Sequence, residues 1–286
     1  MLRRPLRLLA LLALLALVLG ACADDGGDDV APGGADGATT TTGETAERAE
    51  VEKLVEEGKL TVCSDIPYAP FEFEEDGEVT GIDVELMRAM ASKLGLQAEF
   101  RDTDFDGIFA ALAAGNCDVI ASSVSITEER KKVNDFTDGY FEIQQSLLVR
   151  KGDETKYKDF ASLKGRTIGV QSETTGAAFA MEEAEKAGVE VKEFTGADEL
   201  FTALKAKQID GVVQDFPINS YNAEQTGDTV VSAAFDNNEP EEYGFVVPKS
   251  KPKLLAALND ALAELKEDGG YQDILESYLG DEAPTS

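Results

Sequence analysis

From Leu60 onward, short apolar runs closed by turn residues alternate with stretches of helical period. "KLTVCSD" (residues 59–65) predicts a strand, and "DVELMRAMASKLG" (83–95) an amphipathic helix that stops at Gly95. "QAEFRDT" then reads as strand, "FDGIFAALAAG" as helix and "CDVIASS" (117–123) as strand. After "SLLVRKG" the scheme repeats: strand "RTIGVQ", helix "GAAFAMEEAEKAG", strand "VEVKEF", helix "ADELFTALKAK", strand "DGVVQD". Residues 251–280 predict two helices, the first starting after Pro252 and ending near Gly269 and Gly270. Strands alternating with helices of ten or more residues imply βαβ units around mostly parallel sheets, an α/β fold.

The two halves also match each other. Residues 106–122 align without gaps on residues 198–214, with Asp106/Asp198, Phe109/Phe201, Ala111/Ala203, Leu112/Leu204, Ala114/Ala206 and Asp118/Asp210 identical. The shared register favours two lobes of like topology.

Chemistry concentrates where strands end. In an open parallel sheet, ligands bind beyond the carboxyl ends of the strands. "DVIASSVSITEER" delivers Ser122 and Ser123 to that edge, and Ser125 or Thr127 is placed to cap the following helix. Arg130, in what reads as the first helical turn, opposes the helix dipole but offers a bidentate partner for a carboxylate or phosphate. The same letters also make a well-capped helix start with a solvated arginine. In the second half, Thr174, Thr175 and Gly176 lie between a strand end and a helix start, a second anion-facing position. Asp215 ends a strand and is a partner for an ammonium. An anion site on each lobe beside a carboxylate fits the two charged ends of an α-amino acid.

Composition narrows the alternatives. A chain of 286 residues has room for one large domain or two modest ones. It holds no histidine, so serine-hydrolase triads and His-ligated metal sites are unavailable, and neither metal nor cofactor is expected. The formal charge of −30 argues against nucleic acid or an anionic membrane surface as partner.

At the N-terminus, Arg3, Arg4 and Arg7 precede a Leu/Ala run from Leu8 to Leu19, then Gly20, Ala21 and Cys22. This is the pattern of a secretory signal over residues 1–21, and "LGAC" resembles the bacterial lipobox, whose cysteine is lipidated. Residues 22–50, rich in Gly, Asp and Thr, read as a disordered tether. The expected location is extracytoplasmic, with a lipid anchor at Cys22 on the outer face of the bacterial cell membrane. Export would permit a disulfide between Cys63 and Cys117. However, Cys63 sits inside a strand and Cys117 just before the start of another. If those strands are parallel neighbours, their different heights leave the Cα atoms too far apart to bridge easily, so two free, mostly buried thiols are expected.

From about residue 59 to 280 the sequence resembles the type II periplasmic binding proteins that serve ABC importers for polar amino acids, the solute-binding proteins of family 3. The likeness is carried by "SDIPYAPFEFEEDGEVTGIDVELMRAMASKLG", "TDFDGIFAALAAGNCDVIASSVSITEERKKVNDFTDGYF", "KGRTIGVQSETT", "IDGVVQD" and "YGFVVPK", in order. It implies two α/β lobes joined by two hinge crossovers, near residues 140–144 and 240–243. Lobe one would then be residues 58–139 plus 244–280, and lobe two 145–239. By position, the resemblance implies that Arg130 clamps the ligand carboxylate with Ser125 and Thr175. Asp215 takes the ammonium, helped by Ser123 and the backbone at Ser122. Asp65, Tyr68 and Phe105 line the side-chain pocket, Gln171 sits where the family varies, and Glu72 is an outer candidate.

One departure is Gln171-Ser172-Glu173, where the family often has a glycine just before the threonine pair and Glu173 places an acid instead. Asp65, Glu72 and Glu173 supply anions near the side-chain end with no spare Lys or Arg, so a guanidinium between Tyr68 and Phe105 fits best. Arginine leads; lysine, ornithine, histidine and glutamine stay open. The implied function is amino acid capture for a membrane permease by a monomer that is not an enzyme. The resemblance extends to secreted cyclohexadienyl dehydratases, which keeps an enzyme as the rival. A receptor sensor is not expected, for want of a transmembrane helix after Gly280.

Overall fold

The computed structural model describes residues 50–235, 241–280 and 283–284. The expected signal peptide, Cys22, nearly all of the tether and Pro240 of the second crossover lie outside the described residues. The strands are β1 Lys59–Ser64, β2 Phe73–Glu75, β3 Glu78–Thr80, β4 Gln97–Asp102, β5 Val119–Ile120, β6 Asn134–Phe136 and β7 Phe141–Ile143. They continue with β8 Gln145–Arg150, β9 Thr167–Gln171, β10 Glu190–Phe194, β11 Gly211–Asp215, β12 Thr229–Phe235, β13 Glu241–Tyr243 and β14 Val246–Pro248. The helices are α1 Ile82–Lys93, α2 Phe105–Ala113, α3 Glu128–Lys131, α4 Thr175–Ala187, α5 Ala197–Lys205, α6 Phe216–Thr226, α7 Pro252–Asp268 and α8 Gly270–Leu279. Among the described residues no helix is long and apolar enough to cross a membrane.

Two five-stranded sheets carry the architecture, in orders β4-β1-β5-β14-β6 and β10-β9-β11-β8-β12. In the first, β1 runs parallel to β4 and β5, while β14 is antiparallel to β5 and β6. In the second, β9 runs parallel to β10 and β11, while β8 is antiparallel to β11 and β12. Each sheet therefore has one reversed strand at the same place. The chain passes between the sheets through β7 and β13, which pair antiparallel with Tyr243 opposite Phe141.

Strand alternation explains the helices on both faces. In β1, Val62 packs with α1 and α7 residues such as Met87 and Leu258, while Cys63 faces Ile108 and Leu112 of α2. In the second sheet, Leu147 and Val170 face Ala180 of α4, and Leu148 and Val212 face Leu200 and Leu204 of α5. Burial of each valine, leucine, isoleucine or methionine side chain among these contributes roughly 1.5–3 kcal/mol.

The internal repeat has a structural counterpart. Asp118 donates its backbone N–H to the Thr61 carbonyl at 2.7 Å, and Asp210 does the same to Thr167 at 2.7 Å. Each carboxylate then ties down a cation, Lys251 on Asp118 and Arg150 on Asp210 at 3.1 Å.

The expectation of two free thiols is wrong: Cys63 and Cys117 form a disulfide with Cα atoms 5.7 Å apart. Strands β1 and β5 are indeed parallel neighbours, with Cys63 opposite Ile120. Cys117 precedes the ladder, as expected, but lies in a turn whose Asn116 N–H bonds the Ala111 carbonyl of α2. That turn folds over the α2 face, towards which Cys63 points. The bridge closes a separation of 54 residues, and replacing both cysteines with serine should cost roughly 4 kcal/mol of stability. An unchanged urea midpoint in the double variant would refute this.

Candidate functional site

The carboxyl ends of the parallel strands in both sheets converge on one cavity. It is lined by Asp65, Tyr68, Phe105, Ser122, Ser123, Ser125, Arg130, Gln171, Thr174, Thr175 and Asp215, with about 300 Å³ of empty space, its open mouth included. Every residue singled out in the sequence as a ligand contact is thus brought to a single place.

From the first sheet, the Asp65 backbone N–H donates to Ser122 Oγ at 2.9 Å, and that hydroxyl donates to Glu72 Oε1 at 3.0 Å. Ser123 adopts a left-handed φ of 49°. Its N–H donates to Asp83 Oδ2 at 2.8 Å and its hydroxyl to Glu72 Oε2 at 3.3 Å. Those partners over-determine a conformation that a serine rarely adopts. Glu72 and Asp83 are fully buried without a cationic partner among the described residues, and burial first, then their mutual repulsion, drives Glu72 well above the ordinary carboxylate range. Glu72 therefore acts as a scaffold beneath the two serines rather than as a cavity wall.

The hydroxyl-rich segment closes differently from a simple helix start. Thr127 is the cap, accepting from the Arg130 N–H at 3.2 Å, and α3 is only four residues long, so the dipole argument against an arginine there loses most of its force. The Arg130 guanidinium donates to the Ser125 carbonyl at 2.9 Å and to the Glu173 carbonyl at 3.0 Å. It lies 5.6 Å from the Phe105 ring centre and 5.3 Å from that of Phe109. Burial draws its pKa down, opposed by the carboxylates of Asp215, Glu241 and Glu173. Phe105 thus also braces Arg130 as a cation–π platform.

From the second sheet, Thr174 caps α4 by accepting from the Ala177 N–H at 3.0 Å, and its hydroxyl donates to the Gln171 carbonyl at 2.8 Å. That hydroxyl is spent on the helix start, while Thr175 Oγ1 lies 3.3 Å from Ser125 Oγ. Glu173 has a left-handed φ of 62°. This explains why a glycine is at home in that position and why the loop keeps its form without one. Gln171 donates to Asp65 Oδ2 at 2.6 Å. Asp215 accepts from Tyr68 at 2.9 Å, Tyr243 at 2.5 Å and Gln145 at 2.6 Å.

The profile of the bacterial extracellular solute-binding proteins, family 3, matches residues 60–281. The chain is a family 3 solute-binding protein. It is 32% identical over 238 residues to the L-cystine-binding protein TcyJ of Escherichia coli (strain K12), covering 82% of this chain and 88% of that one. An ancestral arginine-binding protein solved with arginine superposes with a TM-score of 0.73 at 38% identity, covering 78% of this chain and 99% of that one. The ancestral amino acid-binding protein AncCDT-1, a precursor of cyclohexadienyl dehydratase, superposes at 0.72 with 35% identity, covering 77% and 95%.

Within this solute-binding protein, sequence reasoning missed Gln145 and Tyr243, both fully buried and both bonded to Asp215. Gln144-Gln145 at the mouth of an apolar strand was a usable signal, because a buried amide is rarely idle. Burial raises Asp65 to about 7, with Gln171 opposing and Asp102, Asp104 and Asp198 adding to the rise. Burial likewise raises Asp215 to about 6.

Proposed function

We propose that this protein captures an L-amino acid with a cationic side chain, arginine foremost, and delivers it to the membrane permease of an ABC importer. The observation that carries the reading is the charge layout of one cavity. Arg130 stands on the first-sheet side and Asp215 on the second, matching a carboxylate and an ammonium. Asp65, with Asp102, Asp104 and Asp198 acting on it, marks the remaining end as anionic. Ancestral arginine-binding proteins solved with arginine and with glutamine support a polar amino acid as ligand, and the anionic end of the cavity favours arginine among these.

Residues 58–139 with 244–280 form one lobe in this reading and residues 145–239 the other. The paired β7 and β13 serve as hinges, and contacts from both lobes favour the closed form by differential affinity. The protein works outside the cytoplasm as a monomer, held to the membrane by lipid on Cys22, and the Cys63–Cys117 bridge suits an oxidising compartment.

Titration of the purified protein with each amino acid, followed by thermal shift, tests the reading. Arginine should give the largest rise, growing with its concentration over its dissociation constant. No stabilisation by any amino acid, together with turnover of prephenate or arogenate, would instead establish the dehydratase chemistry to which AncCDT-1 is a precursor.

A further inference from the structure

We propose that Gln145 is the positioning residue of the ammonium site, holding the Asp215 carboxylate in place and tying it to Thr175, with Glu241 pulling against it. The proposal rests on the amino acid reading above. Gln145 opens β8 directly opposite Asp215 in the antiparallel ladder and is fully buried. Its Nε2 lies 2.6 Å from Asp215 Oδ1, 3.4 Å from Glu241 Oε1 and 3.5 Å from Thr175 Oγ1. One amide group therefore reaches the residue that meets the ammonium and the residue that meets the carboxylate.

Chemistry fixes which way the amide points. Turned over, it would set its carbonyl oxygen against a carboxylate, so the N–H end must face Asp215. The cost is borne at the other end, where Gln145 Oε1 has no hydrogen-bond partner among the described residues. Gly176 makes the room: a Cβ there would stand 2.6 Å from that oxygen. A glycine one residue after Thr175 and a glutamine at the strand mouth thus form a matched pair.

Asp215 is faced by Tyr68 from the loop after β1, by Tyr243 and Glu241 of β13, by Gln145 of β8 and by Arg130 of α3. Burial, then Glu241, disfavours its charged form; Tyr243, Tyr68 and Gln145 favour it. Gln145 and Glu241 consequently act on the same carboxylate with opposite sign. A buried side chain that served only packing would not produce that opposition.

Calorimetric titration of arginine from pH 5 to pH 8 on the wild-type protein, Gln145→Met, Gln145→Asn and Glu241→Gln tests this. The ammonium needs a carboxylate, so wild-type affinity falls as pH drops through the Asp215 midpoint of about 6. Losing the Gln145 donor raises that midpoint, and Gln145→Met should move the acid limb up by about one pH unit, an extra loss of about tenfold on that limb. Gln145→Asn, which retracts the donor and tolerates the site better, should move it in the same direction by less. Glu241→Gln should move it down. The Asp65 titration is common to all four proteins and cancels in the comparison.

Acid limbs that coincide with the wild type in both Gln145 variants, or that move the same way in Gln145→Met and Glu241→Gln, overturn the proposal. A wild-type protein that binds no amino acid at any pH refutes the underlying binding reading instead.

Discussion

Arg130→Ala should weaken arginine binding by about 2–5 kcal/mol, a loss of some thirty- to several-thousand-fold, because it leaves the ligand carboxylate buried without its counter-charge. The guanidinium is held ready by the Ser125 and Glu173 carbonyls and by the Phe105 and Phe109 rings, which leaves its other N–H groups for the ligand. Little ordering is then required at binding, so nearly the whole interaction counts towards affinity. Arg130→Lys should recover only part of the loss, since an ammonium cannot reproduce the planar fork or span both carbonyls. Calorimetry on the two variants decides it. Binding by Arg130→Ala within about threefold of wild type would remove Arg130 from the site.

The second large effect is a difference between ligands in their response to acid. A guanidinium paired with Asp65 requires the carboxylate form, and burial, against the Gln171 donor, sets the Asp65 midpoint at about 7. Because that pKa is raised, the charged form prevails above pH 7 and is lost below it. Two pH units below that midpoint cost about a hundredfold, and one unit below the Asp215 midpoint costs about tenfold. Arginine affinity should therefore fall about a thousandfold from pH 8 to pH 5, and glutamine affinity only about tenfold. In Asp65→Asn the steeper arginine dependence should collapse onto that of glutamine. Parallel profiles for the two ligands in the wild type would show that Asp65 does not meet the side chain.

Which parts of this were legible in the sequence follows from how local the physics is. Most strand ends, the helix starts and the repeat at Asp118 and Asp210 depend on neighbours a few residues away and match the structure. The exception is "CDVIASS", read as strand to Ser123 where β5 spans only Val119–Ile120. The "DG" turn at Asp76-Gly77, with φ of 53° and 85°, was an equally local hairpin signal that went unused. Helix α6 was missed because "FPINSYNAEQT" shows little apolar periodicity and is placed by packing of Ile218 and Asn219.

The site divides along the same line. Residues that face the cavity lie at strand ends, at the helix starts or in the loops that follow the strands, so their address could be read. What their side chains do there could not, because Thr174 is diverted to its own helix and Ser122 to Glu72. Gln145 reaches Asp215 only through the antiparallel pairing of β8 with β11, 70 residues apart in sequence. The disulfide escaped for a related reason: a position just before a strand can be read from the sequence, but not the way that turn folds back over α2 to bring Cys117 beside Cys63.

That bridge also has a consequence for how the protein is made. A chain leaving the cell N-terminus first presents Cys63 and Cys117 long before residues 246–248 supply β14, the strand that completes the other side of β5. Oxidation can therefore lock β1 to the start of β5 while half of the polypeptide is still in transit. An early covalent staple holds the incomplete sheet together during the interval when its open edge is most prone to aggregate. Production in a reducing cytoplasm forgoes that protection, and the yield of soluble protein should depend on the compartment chosen for expression.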